Sequence, residues 1–174
     1  MTADEARSLD AGEGETIPAL ADVLEVARGR VRVNVDLKEA DIVDEAVAII
    51  ESAGMLPAVT FISFLPEVWE RLGRIAPESP VIHLVDSAAG LASLAMGEAG
   101  SQSVATGVGV PHEIVNEAMV DRMHRHGYGV FAWTVDDEDE MRRLIDCDVN
   151  GIVTNRPGLL AEVVRSLQAQ SASA

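Results

Sequence analysis

The sequence predicts an α/β fold on a parallel sheet, and three features carry that prediction. From Val31 onward, short β-branched runs alternate with helical patterns at roughly 25-residue spacing, the rhythm of repeated βα units. Two runs, Val59-Thr60-Phe61-Ile62 and Tyr128-Gly129-Val130-Phe131-Ala132-Trp133, are apolar on both faces, as strands of a covered sheet are. A third, Val31–Lys38, alternates: Val31, Val33, Val35 and Leu37 share one face, and Arg32, Asn34, Asp36 and Lys38 share the other. That strand is either a solvated edge or one whose polar face looks into a site. Six βα steps suit an open doubly wound sheet or part of a (β/α)8 barrel, which typically needs about 250 residues. An open sheet usually carries a glycine-rich loop after its first strand, and Asp36-Leu37-Lys38-Glu39-Ala40 has no glycine. A carboxylate and an ammonium at a C-terminal strand end suit the barrel better, because barrel chemistry sits there.

The elements follow in chain order. Residues 1–15 are polar and expected to be loose. Residues 17–27 read as a helix with Leu20, Val23, Leu24 and Val26 as its apolar stripe. Strands are expected near 31–37, 58–63, 80–85, 103–108, 128–135 and 151–154. Helices are expected near 40–53, 65–75, 87–98, 111–126, 136–146 and 158–169. Pro111 suits the first turn of its helix, and Gly127 suits that helix's end. Asp136 and Asp137 bring negative charge to a helix start, which complements the dipole. The Ser/Ala/Gln tail over 168–174 is expected to be loose. No linker interrupts residues 1–174, which read as a single domain.

Bulk composition narrows the function classes. At 174 residues and 48% hydrophobic content, the chain can bury a sizeable core. Its 29 acidic and 13 basic residues give a formal net charge of −16. Such a field repels phosphate backbones and anionic lipid surfaces, so nucleic-acid and membrane binding are disfavoured. An anionic substrate would need a local cation, either a metal or Lys38. No apolar run approaches the ~20 residues of a membrane span, and the N-terminus lacks a signal-peptide pattern. The single Cys147 excludes an internal disulfide and fits a reducing compartment. The expectation is a soluble cytoplasmic protein.

Few residues offer chemistry. Asp36 at a strand end can hold a hard cation such as Mg²⁺ or Ca²⁺, and Lys38 beside it can meet a phosphate; a solvated ion pair explains the same spacing. Trp133 ends the strongest strand and can wall a pocket with its indole N–H available, or simply join the core. Asn155 and Arg156 can orient a polar ligand or build a turn. Ser63 lacks the G-x-S-x-G setting of a nucleophile. His83, His112, His124 and His126 form no constellation, and Cys147 reads as an inert buried thiol.

Taken together, several segments resemble the glycerophosphodiester phosphodiesterases. They are Ser8-Leu9-Asp10-Ala11-Gly12, Gly14-Glu15 with Ile17-Pro18 and Leu20, and Val33-Asn34-Val35-Asp36-Leu37-Lys38. Ile62-Ser63-Phe64, Ala132-Trp133-Thr134-Val135 with Met141, and Gly151-Ile152-Val153-Thr154-Asn155-Arg156-Pro157 continue the match in order and spacing. The resemblance implies a TIM-type barrel and metal-dependent hydrolysis of glycerophosphodiesters to an alcohol and glycerol 3-phosphate. It maps Asp36 onto a carboxylate ligand of the divalent metal (Mg or Ca), normally a glutamate. Lys38 maps onto the lysine that contacts substrate phosphate, and Trp133 onto the tryptophan at the pocket mouth.

The departures are as informative. In the family, a His-Arg-Gly motif with one catalytic histidine, two metal carboxylates and a second catalytic histidine precede the segment matching Ser8, and only seven residues precede it here. The resemblance therefore implies an N-terminally truncated barrel of about six βα units of eight, open at its edges, with no catalytic histidine. Asp148 stands where the family usually has glycine, and Asn150 and Asn155 stand where it usually has aspartate. Weak or absent activity of the chain alone is the expectation, with a non-catalytic remnant or interaction module as the alternative. Open strand edges invite a homo-oligomer or a front-half chain as partner.

Overall fold

The computed structural model describes residues 3–95 and 105–171. A short helix α1 (Ala3–Arg7) and a hairpin of β1 (Asp10–Gly12) and β2 (Glu15–Thr16) lead into α2 (Leu20–Ala27). Then follow β3 (Val33–Asp36), α3 (Val43–Ser52), β4 (Val59–Ser63), α4 (Pro66–Ile75), β5 (Val81–Leu84) and α5 (Ala88–Ala95). The chain continues through β6 (Ala105–Pro111), α6 (Glu117–Arg125), β7 (Gly129–Trp133), α7 (Glu138–Asp146), β8 (Gly151–Ile152) and α8 (Pro157–Ser171).

The six strands β3 to β8 form one parallel sheet in strict chain order. A doubly wound sheet reverses its strand order at a switch point, and this sheet never does. The succession is that of a barrel, curled but open, with β3 and β8 as its edges among the described strands.

Alternation divides the sheet into two faces. Toward the helices, Val59, Phe61, Val81, Val108, Val110, Val130 and Ala132 pack with Val47, Ile50, Val68, Leu72, Met123, Met141 and Leu144 into one buried core. The concave face carries Ile82 and Leu84, both buried, with Phe131 and Trp133 half-buried beyond them. Gly107, Gly109, Gly129 and Gly151 leave the space these side chains fill.

Several boundaries differ from expectation for local reasons. The first strand begins at Val33 because Arg30 and Val31 both donate backbone N–H bonds to Ala27 O, wrapping the chain around Gly29 at φ +70°. Pro111 does not open an α-helix, though it caps one short 3-10 turn, His112–Ile114. It is the last residue of β6, in register with Trp133, and the helix starts later, where Asn116 Oδ1 accepts the Met119 N–H at 3.0 Å. Asp137 caps α7 by accepting the Glu140 N–H at 3.0 Å, as the charge at that position implied. Residues 1–15, expected to be loose, include α1 and the hairpin, whose turn places Glu13 and Gly14 at φ +55° and +83°. All side chains from Arg7 to Pro18 are exposed. Residues 96–98 of the expected fourth helix and 103–104 of the expected fourth strand lie outside the described residues.

Candidate functional site

The C-terminal ends of the strands gather the polar candidates. Asp36 closes β3, and Lys38 follows two residues later on the same face, so the Lys38 Nζ reaches Asp36 Oδ2 at 2.7 Å. The lysine side chain is 76% exposed and the carboxylate 32%, so one end of the pair stays open to a ligand. Asp36 stands in register with Ile62 on β4, whose side chain offers no oxygen. The sheet therefore supplies Asp36 with no second ligand on that side.

Behind this rim, Ser63 is fully buried, and its hydroxyl donates to Leu37 O at 2.6 Å and accepts the Leu65 N–H at 3.1 Å. Trp69 Nε1 donates to Ser63 O at 2.8 Å. These bonds tie the end of β3 to the β4–α4 turn and fix where Asp36 and Lys38 emerge. Ser63 is a brace, not a nucleophile.

Phe64, the next residue, is 44% exposed and meets Trp133 edge-to-face with ring centroids 6.0 Å apart. Two strands separate β4 from β7, so on a flat sheet those ends would lie about 14 Å apart. The contact exists because the sheet curls and both rings lean across its concave face. Trp133 Nε1 is buried and has no hydrogen-bond partner among the described residues. A buried N–H left without an acceptor is costly.

Beyond Trp133, Asp136 accepts from Thr154 Oγ1 at 2.9 Å, Asn155 N at 2.7 Å and Asn155 Nδ2 at 2.9 Å. The Asn155 bonds, first among these, hold the Asp136 carboxyl below the usual carboxylate range. Arg156 Nη1 donates to Asp136 O at 3.1 Å. Asn155 and Arg156 thus lock the ends of β7 and β8 together, the turn-building role rather than ligand orientation.

The histidines serve structure. His83 is buried and stacked on Trp69; His124 Nε2 lies 2.8 Å from Asn150 Oδ1; His126 Nδ1 lies 2.8 Å from Arg122 O. His112 Nδ1 lies 2.8 Å from Glu140 Oε1, and Arg143 donates to the same carboxylate and to His112 O. Cys147, expected to be buried, is half-buried with Arg143 Nη1 at 4.0 Å.

Among the described residues, no group of three or more His, Cys, Asp or Glu is arranged to hold a metal ion. Asp36 alone, already paired with Lys38, does not make the oxygen-rich shell that Mg²⁺ or Ca²⁺ requires. The residues present do not fit the divalent metal implied at this position. No described helix is long and apolar enough to cross a membrane.

Sequence reading singled out Asp36, Lys38 and Trp133, and the structure places all three at C-terminal strand ends. The structure joins Asp36 to Lys38, and Trp133 to Phe64. Sequence reading gave Phe64 no role, although an aromatic residue between a strand end and the helix-opening Pro66 was a visible signal.

Comparison with known proteins converges on one family. The family model described as "Glycerophosphoryl diester phosphodiesterase family" matches residues 1–159. The probable glycerophosphodiester phosphodiesterase 2 of Mycobacterium tuberculosis is 33% identical over 91% of this chain and 64% of its own length. The chain thus spans less than two thirds of that relative. A glycerophosphodiester phosphodiesterase structure from Parabacteroides distasonis superposes with a TM-score of 0.79 at 24% identity, covering 98% of this chain and 72% of its own. A phosphodiesterase from Oleispira antarctica, solved with its product sn-glycerol-3-phosphate, gives a TM-score of 0.75 at 20% identity, covering 93% of this chain and 70% of its own.

Proposed function

Because the chain belongs to the glycerophosphodiester phosphodiesterase family, we propose that it carries the phosphate-binding side of a glycerophosphodiester site and hydrolyses such diesters weakly or not at all by itself. The observation that carries this reading is the Asp36–Lys38 pair at the open end of β3, with its ammonium largely exposed. Lys38 acts as a compact point charge toward a phosphoryl oxygen, and Asp36 holds it in place. The unpartnered Trp133 indole N–H donates to an oxygen of the same ligand, while Phe64 and Trp133 together wall the apolar side of the mouth.

Turnover needs more than this. General acid–base catalysis contributes roughly 10²–10⁴-fold and metal polarisation several kcal/mol, and neither is supplied by the residues around Asp36. Were further oxygen ligands beside Asp36, that carboxylate would help hold a divalent metal, which would supply positive charge toward the phosphoryl group. We place the chain in the cytoplasm, in the breakdown of lipid-derived diesters.

The test is glycerol 3-phosphate release from glycerophosphocholine by the purified chain, with Mg²⁺, Ca²⁺ or chelator. It is paired with binding of glycerol 3-phosphate to the chain and to Lys38→Ala. Background hydrolysis with measurable binding that Lys38→Ala weakens about tenfold is expected. Chelator-sensitive turnover lost in Asp36→Ala refutes the weak-activity reading, and binding indifferent to Lys38→Ala refutes the phosphate role. If the chain binds no glycerol 3-phosphate and hydrolyses nothing, the remnant or interaction-module alternative takes its place.

A further inference from the structure

We propose that Ser63 is a positioning residue for the ligand site: its one hydroxyl couples Lys38 to the aromatic wall of Phe64 and Trp133, so that the two halves of the site keep a fixed spacing. This rests on the reading that Lys38 meets the phosphoryl group while the two rings wall the mouth.

The coupling starts where the backbone ladder stops. Pairing between β3 and β4 closes with Asp36 beside Ile62. One residue on, the Ser63 hydroxyl donates to Leu37 O at 2.6 Å. A peptide unit is planar, so holding that carbonyl also holds the nitrogen and Cα of Lys38. The same hydroxyl oxygen accepts the Leu65 N–H at 3.1 Å. That second peptide unit carries the Cα of Phe64. One atom thus holds the two backbone points from which the ammonium and the ring project.

The serine is itself held on its far side. Its carbonyl accepts from Trp69 Nε1 at 2.8 Å, and the Trp69 ring lies stacked on the buried His83. Val59, Phe61 and Ser63 share the helix-facing side of β4, and all three are fully buried. An aliphatic residue at position 63 would extend that core. Serine instead gives up apolar burial and places a hydroxyl out of reach of water, which is tolerated because both its bonds are met.

The link runs on past Phe64, whose ring meets Trp133 at the end of β7. The path from Lys38 to Trp133 therefore crosses from β3 to β4 to β7 through one side chain. A hydroxyl that served the β4–α4 turn alone would influence Trp69, its bonded neighbour, and leave Lys38 and Trp133 indifferent. A fixed spacing between cation and rings also has a consequence for selectivity. It favours a phosphate that carries an organic group, which uses both halves, over a bare phosphate, which uses Lys38 only.

Lys38 is the only lysine of the chain, and Trp69 and Trp133 are its only tryptophans. Lysine labelled with carbon-13 at Cε, together with fluorotryptophan, therefore reports on each of them by NMR in the full chain; Trp69→Phe assigns the fluorine pair. Ser63→Ala should shift the Lys38 and Trp133 resonances together, and Ser63→Thr, which keeps the hydroxyl, should restore both. Glycerol 3-phosphate binding should weaken roughly three- to tenfold in Ser63→Ala, and inorganic phosphate binding clearly less. A Lys38 or Trp133 resonance unmoved by Ser63→Ala, or left shifted in a folded Ser63→Thr, overturns the proposal. Equal weakening of the two anions does so as well. Should Ser63→Ala not fold, Trp69→Phe, which removes the bond to Ser63 O, should still shift Lys38 and Trp133, and resonances unmoved there count against the coupling. The spectra are read without ligand. A chain that binds neither anion therefore refutes the phosphate reading, while the resonances decide the role of Ser63 separately.

Discussion

His83 lies 1% exposed behind the sheet, its ring stacked on Trp69 at 3.8 Å and 9°. Burial holds the imidazole neutral and pushes its pKa down to about 4. The unfolded chain takes up that proton near 6.5, so between these values the unfolded state binds more protons and stability rises with pH. The contribution is fully present above 6.5 and lost as pH falls toward 4, an effect on the order of 3 kcal/mol. Glu140 acts in a lower window. The Arg143 hydrogen bond, against some burial and with help from His112, holds it to about 2 from its ordinary 4.5. Its contribution is present above 4.5 and lost as pH falls toward 2, about 1–2 kcal/mol after solvent screening. Urea unfolding at a series of pH values separates the two: His83→Phe should flatten the slope between 6.5 and 4, and Glu140→Gln only the part below 4.5. A His83→Phe protein with the full upper slope would remove the buried imidazole as its source. Asp36 and Lys38 were legible in the sequence because an edge strand keeps strict polar alternation. The Phe64–Trp133 contact was not, since it depends on curl across strands far apart in the chain.

Helix ends show where local sequence rules suffice. α3 and α6 both close with a left-handed glycine, Gly54 at φ +64° and Gly127 at φ +82°, and Met55 and Tyr128 then donate back to Ile50 O and Met123 O at 3.0 Å. Gly127 was readable as such an end. α7 closes in the same way without glycine: Asp148 takes φ +63°, donates to Ile145 O at 2.9 Å, and Val149 donates to Leu144 O at 3.3 Å. A residue with a Cβ is strained in this conformation, and aspartate only partly escapes the penalty. The Asp148 side chain is 94% exposed and meets His124 Nδ1 at 3.9 Å, too weak a contact to offset the strain. Asp148→Gly should therefore raise stability by roughly 0.5–1 kcal/mol, read as a higher urea midpoint at unchanged slope. A lower midpoint would show that the His124 contact outweighs the backbone term. The Pro111 boundary was misread for the converse reason. Proline suits a helix start and a strand end equally, and only the pairing of β6 with β7 decides between them.

The curl that makes one site of distant strand ends rests on the glycines of the concave face, where Phe131 lies in register with Gly109 on one side and Gly151 on the other. The runs apolar on both faces, 59–62 and 128–133, marked covered strands in the sequence, whereas the expected fourth strand stopped near 108 and β6 runs on to Pro111. A Cβ built at Gly151 would lie 2.7 Å from Phe131 Cδ1 and 3.0 Å from Cε1, its three nearest atoms all belonging to that ring. A Cβ at Gly107 would lie 2.8 Å from Phe131 Cε2 but also 2.8 Å from the Gly129 carbonyl oxygen, which cannot rotate away. Gly151→Ala and Gly107→Ala should each cost about 1–3 kcal/mol by overpacking. Phe131→Leu shrinks the ring and separates the two cases. In a double-mutant cycle it should return about 1 kcal/mol or more at Gly151 and clearly less at Gly107, where backbone opposes backbone. Unfolding midpoints of the four single and double variants, measured beside Phe131→Leu alone, decide the matter. Equal coupling in the two cycles would mean that the ring limits the concave face everywhere. The close approach of β6 to β7 would then not require glycine, and the curl that brings Trp133 to Phe64 would have another origin.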